Sequence, residues 1–380
     1  MSEVLTLGDL LARTGGSVKT GPFGTVLKAH EYSTHGVPVI SVGEVGHGEL
    51  RIHLRTPRVS PDVVCRLPEY VLRAGDVVFG RKGSVDRSAL VKAEEDGYFL
   101  GSDGIRVRLG DGVCPRFLAL QFRTKRAQDW LLQHASGSTM ASLNQSILER
   151  LPVILPPRHV QDAIAEVLGA LDDKIASNHR TSLIATELCG QAFRRMVRHA
   201  PEATSVGRIM TLEYGKALPA TTRRPGQILV YGSGGVVGQH DHPLVDRVGV
   251  VVGRKGTAGS VHWAPGPHFP IDTTYFVRPS PGVPLTYCYF ALQSLGLDQM
   301  NSDSAVPGLN RNEAYACPVL LPPPDDLREF DFVAGSVLDL VAQFGVENRK
   351  LAELRDTLLP ELMSGRLRVR DAELVVEGAV

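Results

Sequence analysis

Short apolar runs broken by glycine fill two stretches of the chain, and each stretch is followed by a long polar segment carrying one apolar stripe. The runs are VPVISVGEV (37–45), GDVVFGRKGS (75–84), GIRVRL (104–109), QILVYGSGG (227–235) and RVGVVVGRKG (247–256). Rich in valine and isoleucine and punctuated by glycine, they predict short strands joined by tight turns. Helical patterns interrupt them at Cys114 to Ala135 and again at Pro284 to Met300. Both lobes therefore read as mainly β.

The striped segments predict helices. From His159 to about Arg198 no proline occurs, and Val160, Ile164, Val167, Leu171 and Ile175 recur at intervals of three and four. After Asp325 the same spacing returns at Phe330, Val333, Val337, Val341, Phe344, Leu351, Leu354, Leu358 and Leu362. A stripe that persists this long suggests a coiled-coil seam. Asp162 and the pair Asp325 and Asp326 sit near the helix starts, which suits the positive end of a helix dipole. Pro360 and Gly365 predict a kink or stop near the end of the second helix. Asn178 and Asn348 fall at or beside core positions, where a buried amide fixes register at some cost in stability. Forty helical residues at 1.5 Å each span roughly 60 Å, enough to separate two lobes if the helices pair antiparallel.

The whole pattern is written twice. Arg81-Lys82-Gly83-Ser84 returns as Arg254-Lys255-Gly256-Thr257, and SGSTMASLNQSILERLPVILPP (136–157) returns as SDSAVPGLNRNEAYACPVLLPP (302–323). Between these landmarks Asp103 falls opposite Asp272, each opening a strand-like alternation. Three landmarks in one order mark an internal duplication. The predicted divisions are a first lobe 1–158, a spacer helix 159–200, a second lobe 201–324, a second spacer helix 325–366 and a tail 367–380.

Composition limits what such lobes can be. At 380 residues with 43% apolar and 22% charged side chains, the chain can bury two cores. Cys65, Cys114, Cys189, Cys288 and Cys317 are odd in number and scattered without a CxxC pair, so buried thiols in a reducing cytoplasm are expected. Neither a basic leader nor an apolar run of membrane-spanning length is present, which predicts a cytoplasmic protein with no membrane partner. Net charge is zero, yet residues 1–158 hold 20 basic and 16 acidic side chains, 201–324 hold 9 and 8, and 325–380 hold 7 and 12. The acid gathers at the C-terminus, leaving the first lobe mildly basic.

Few residues suggest chemistry. No Asn-Pro-Pro-aromatic or Asp-Pro-Pro-Tyr tetrapeptide of the amino-methyltransferase kind occurs. GSGGVVG (232–238) imitates a dinucleotide fingerprint, but QHDHPLV follows it where a phosphate-capping helix is required, so a tight turn placing Tyr231 and Ser233 is expected. His240-Asp241-His242 lacks further ligands at metal-binding spacing and reads as a surface turn. Ser84 and Thr257 sit in no nucleophile elbow. Singly, a GRKG[ST] loop is a solvated hairpin tip. Its duplication favours nucleic acid, because arginine reads guanine through two hydrogen bonds, lysine binds phosphate or guanine, and a hydroxyl contacts either.

These residues resemble the DNA-specificity subunit of type I restriction-modification systems. The resemblance rests on GDVVFGRKGSVDRSALV, LVYGSGGVVGQHD, the two LN…LPP segments that lead into long helices, and LLPELMSGRLRV (358–369), and it covers nearly the whole chain. It implies an α+β fold with two similar mainly-β target-recognition domains, separated by two long antiparallel coiled-coil helices and related by a pseudo-twofold. Each domain would read one block of a bipartite site in double-stranded DNA. The DNA-facing residues expected are Arg81, Lys82, Ser84, Arg254, Lys255 and Thr257, with Tyr231 and Ser233. Such subunits are not catalytic and bind no cofactor. They recruit two methyltransferase subunits that use S-adenosylmethionine and restriction subunits that use ATP and Mg. The second lobe departs from the first in being shorter, with GKALPATTRRPGQ (215–227) in place of KTGPFGTVLKAHEYSTHG (19–36). Rival readings are a DNA-modifying enzyme with an unfamiliar active site, and a scaffold with no DNA role.

Overall fold

Residues 3–53, 55–137, 140–300 and 308–379 are described by a computed structural model. Parts of the repeated segments, 138–139 and 302–307, lie outside them. The chain forms two units, residues 1–175 with 350–380, and residues 176–349. Two helices of equal length, Arg158–Arg198 and Pro324–Ser364, each contribute to both units.

The first unit opens with β1 (Glu3–Thr6) and a helix, Leu7–Thr14, which Thr6 and Asp9 start with a reciprocal capping box. The strands that follow are β2 (Ser17–Thr20), β3 (Tyr32–Ser33), β4 (Val37–Ile40), β5 (Arg58–Val59), β6 (Val77–Gly80), β7 (Ser88–Leu90), β8 (Phe99–Leu100), β9 (Gly104–Arg108) and β10 (Pro152–Leu155). One antiparallel sheet has the order β2-β9-β6-β7, a smaller sheet has the order β3-β5-β4-β8 with β4 and β8 parallel, and β1 pairs with β10. Both faces of β6 are covered. Val77 and Phe79 enter the main core with Leu7, Phe117 and Leu168, whereas Val78 points into a second cluster with Ile40, Leu72 and Leu100. A strand enclosed on two sides is apolar at every position, which explains the unbroken run VVFG.

The second unit repeats this plan. Its strands are β11 (Glu202–Ser205), β12 (Met210–Tyr214), β13 (Ile228–Gly232), β14 (Gly235–His240), β15 (Gly249–Gly253), β16 (Val261–Ala264), β17 (His268–Pro270), β18 (Thr274–Pro279) and β19 (Pro318–Leu321). The antiparallel sheet β12-β18-β15-β16 corresponds to the first unit's main sheet, and the parallel pair β13 and β17 to β4 and β8. The pair β11 and β19 matches β1 and β10. Val250 and Val252 of β15 face the main core while Val251 packs with Tyr231 and Ala264, the same split as in β6.

Within each unit the long helices run antiparallel. Asp172 meets Arg355 in the first unit, and in the second Asn178 bonds Asn348 while Phe193 packs against Phe330. The two asparagines expected at or beside core positions meet each other, Asn178 Nδ2 donating to Asn348 Oδ1 at 2.9 Å. Around Phe193 gather Tyr287, Phe290 and Phe330 with ring centroids 5.6 to 6.1 Å away. Asp172 accepts from Arg123 and Arg355, both at 2.7 Å. Burial alone raises its pKa, but the two guanidiniums outweigh burial and hold the carboxyl below the usual range.

Several expectations change. The stretch Cys114 to Ala135 forms two helices, Pro115–Phe122 and Lys125–His134, because Thr124 caps the second by accepting from the Ala127 N–H. The second such stretch is helical over Leu285–Ser294, followed by a single turn at Leu297–Gln299. Pro360 lies inside a helix that runs on to Ser364, and Gly365 at φ 73° ends it. Val333 is exposed, since the buried stripe there is Leu327, Phe330, Ala334 and Leu338. The tail contains a helix, Val369–Glu377, anchored by buried Ala372 and Val376. Cys65 is exposed, while burial pushes the Cys288 thiol up to about 12. Among the described residues no helix is long and apolar enough to cross a membrane.

Candidate nucleic-acid interface

The duplicated cations sit where an interior strand of each main sheet ends. At the close of β6, Arg81 donates its N–H to the Asp103 carbonyl at 2.8 Å and accepts from the Leu143 N–H at 2.8 Å. At the close of β15, Arg254 donates to the Thr273 carbonyl at 2.8 Å and accepts from the Leu309 N–H at 2.9 Å. The repeated Leu-Asn landmark thus has a structural reason. Leu143 and Leu309 are buried and pin the loop, while Asn144 and Asn310 cap the helices Gln145–Glu149 and Arg311–Ala316. Register also corrects the sequence alignment by one residue, since Gly80 pairs with Gly104 and Gly253 with Thr274. Asp103 lies opposite Thr273, and Asp272 one place earlier.

Both glycines of each loop serve its shape. A Cβ at Gly80 would lie 2.5 Å from the Ser84 carbonyl oxygen, and one at Gly253 would lie 2.2 Å from that of Thr257. Gly83 and Gly256 take φ of 72° and 82°, a region that side chains avoid. The loop therefore folds back over its own strand end and turns the cations outward.

Aromatic rings complete the two sites. The Arg81 guanidinium lies 4.3 Å from the centroid of the half-exposed Phe23 ring, and Arg254 lies 5.1 Å from that of Tyr214, which is also exposed. Arg311 lies 4.9 Å from the same Tyr214 ring. Such stacking fixes a guanidinium, and Arg81 is fixed further by Nη1 donating to the Ser102 carbonyl at 3.3 Å. Phe23, Tyr214 and Arg311 escape a reading of the sequence because their roles depend on contacts distant along the chain. Phe23 lies in the loop just after β2, and Tyr214 is the last residue of β12.

The expected residues divide. Arg81, Lys82, Ser84 and Arg254 are partly exposed, and Lys255 and Thr257 are exposed. Lys82 pairs with Asp103 at 3.1 Å, whereas no ion pair engages Lys255 among the described residues. Tyr231 and Ser233 do not face a partner, being 4% and 6% exposed. Burial raises the Tyr231 phenol pKa. The Ser233 hydroxyl donates to the carbonyls of Lys255 and Thr273, so it holds the cationic loop in place from within. The glycine-rich stretch beside it is the hairpin of β13 and β14, with Ser233 and Gly234 as its turn. In the His240-Asp241-His242 turn, Arg224 pairs with Asp241 at 2.8 Å.

Comparison with known proteins agrees with this plan. Residues 3–185 match the family model described as the type I restriction modification DNA specificity domain. The type I restriction enzyme MjaIX specificity subunit of Methanocaldococcus jannaschii is 27% identical over 126 residues, which are 33% of this chain and 29% of that protein's length. The type I restriction-modification S subunit of M. genitalium shares the fold at a TM-score of 0.59 and 19% identity, over 95% of this chain and 96% of that one. Residues 3–185 are thus similar to the type I restriction-modification DNA specificity domain, and the second unit repeats their lobe plan.

Proposed function

We propose that the chain is the sequence-specific DNA-binding subunit of a type I restriction-modification complex, each β lobe reading one block of a bipartite site. The observation that carries this reading is the recurrence of one loop at one structural position. In both units an arginine rests on an aromatic ring beyond an interior strand, with a lysine and a hydroxyl beside it. Guanidinium donors held in this way suit the paired acceptors of guanine in the major groove, and lysine suits phosphate. Two such loops on two lobes fit two blocks of sequence.

The chain itself performs no bond-breaking in this proposal. The long helices act as spacers and dock two methyltransferase subunits, which use S-adenosylmethionine, while restriction subunits use ATP and Mg. Mapping methylated adenines in the host genome, with the gene present and deleted, tests the reading. A bipartite motif methylated only when the gene is present is the expected result. An identical methylation map in both strains sinks it.

A further inference from the structure

The two cationic loops are built alike but charged differently, and the difference lies outside the repeated motif. Strand register pairs Thr20 with Ile105 and Tyr214 with Tyr275, so Tyr214 stands where the first lobe has Thr20. Counted from the capping asparagines, Arg311 stands where the first lobe has Gln145. In the first lobe this pair is neutral, Gln145 Nε2 donating to Thr20 Oγ1 at 3.1 Å, and Lys82 is compensated by Asp103.

In the second lobe no carboxylate pairs with Lys255 or Arg311 among the described residues. Thr273 replaces Asp103 beside Lys255, and two guanidiniums, Arg254 and Arg311, approach one tyrosine ring. With Lys255 they line an open pocket of about 350 Å³, and among the described residues its lining holds no carboxylate. The Arg311 Nε is buried and has no hydrogen-bond partner, a state that the Arg81 Nε of the first lobe shares. Burial and the neighbouring Tyr214 raise the pKa of Tyr275, which also lines the pocket, and the charges of Arg254 and Arg311 oppose that rise. Like charges gathered in one pocket repel unless an anion enters.

We propose that this pocket binds a phosphate diester of the DNA backbone, gripped by Lys255 and Arg311, and that the first lobe has no equivalent. The proposal rests on the DNA-binding reading and deepens it. A phosphate there relieves the repulsion and leaves Arg254 on Tyr214 to face a base edge. It also makes the second lobe the stronger electrostatic anchor, although the first holds the larger basic excess in its sequence.

The test is a titration of labelled duplex DNA with the full chain over a series of KCl concentrations. Arg311→Gln, which copies the first lobe, and Lys255→Gln should each flatten the slope of log K against log salt, by up to about 0.9 for the one phosphate they share, equally on all sequences. An unchanged slope in either variant, with wild-type binding intact, overturns the phosphate pocket and leaves the DNA-binding reading standing. If the wild type binds no duplex, that reading fails and inorganic phosphate decides the pocket separately. Thermal stabilisation by phosphate that Arg311→Gln abolishes then supports an anion site, and an equal response in both proteins overturns it.

Discussion

Arg81 is held at four points: its N–H and carbonyl are bonded to the backbone, its Nη1 donates to the Ser102 carbonyl, and its guanidinium rests on Phe23. What the loop can still do is set by the residue beside it. Lys82 is engaged by Asp103, so Asp103→Asn should release a cation and steepen the salt dependence of DNA binding, by up to about 0.9 in slope. A duplex titration over a salt series checks this, and a flatter slope would contradict it. At this scale the cations were legible in the sequence, because a repeated Arg-Lys pair between glycines is a local signal. Their aromatic supports were not, since Tyr214 reaches Arg254 through sheet pairing and Phe23 reaches Arg81 from the loop after β2. Tyr231 and Ser233 were misjudged for the converse reason. A glycine-rich stretch looks exposed, but here the strand before it is covered by β15 and β17 and its hydroxyl turns inward.

The long helices were the most legible elements, because a stripe with period between three and four survives over many turns. Their finer contacts give predictions of their own. Asn178→Leu leaves the Asn348 carbonyl oxygen without its donor and should cost about 1–3 kcal/mol, whereas Asn178→Leu with Asn348→Leu should recover most of that loss. Urea unfolding of the three proteins decides, and an equal loss in single and double variants would contradict a specific pair. Asp172→Asn should destabilise by roughly 3 kcal/mol at neutral pH, because it strands two largely buried guanidiniums. The Asp172 pKa is depressed in the folded protein, so its contribution is full above the unfolded value of about 4 and is lost as pH falls through the folded value. The stability gap between wild type and Asp172→Asn should therefore narrow in acid. A constant gap would show that the ion pairs are not its source. The break between the helices Pro115–Phe122 and Lys125–His134 was missed because Thr124 acts as a cap only once the chain turns there.

One lobe plan occurs twice in the chain, down to the buried alternation of β6 and β15 and the helix-capping asparagines. The duplication was visible in sequence because its landmarks are motifs of loops and caps. The unequal charging of the two sites was hidden, since Thr20, Gln145, Tyr214 and Arg311 are matched only through strand register and helix caps. If recognition is the chain's whole task, the purified protein with Mg, DNA and a labelled methyl donor should transfer no methyl groups, and turnover by the chain alone would contradict that. The central claim is that each loop reads its own block of DNA. Its most direct test is the methylated-adenine motif in strains carrying Arg81→Ala or Arg254→Ala. Each change should cost about 1–3 kcal/mol of discrimination and relax one block only, a different block for each arginine. A motif unchanged in both strains, or relaxed at the same positions in both, would contradict the account.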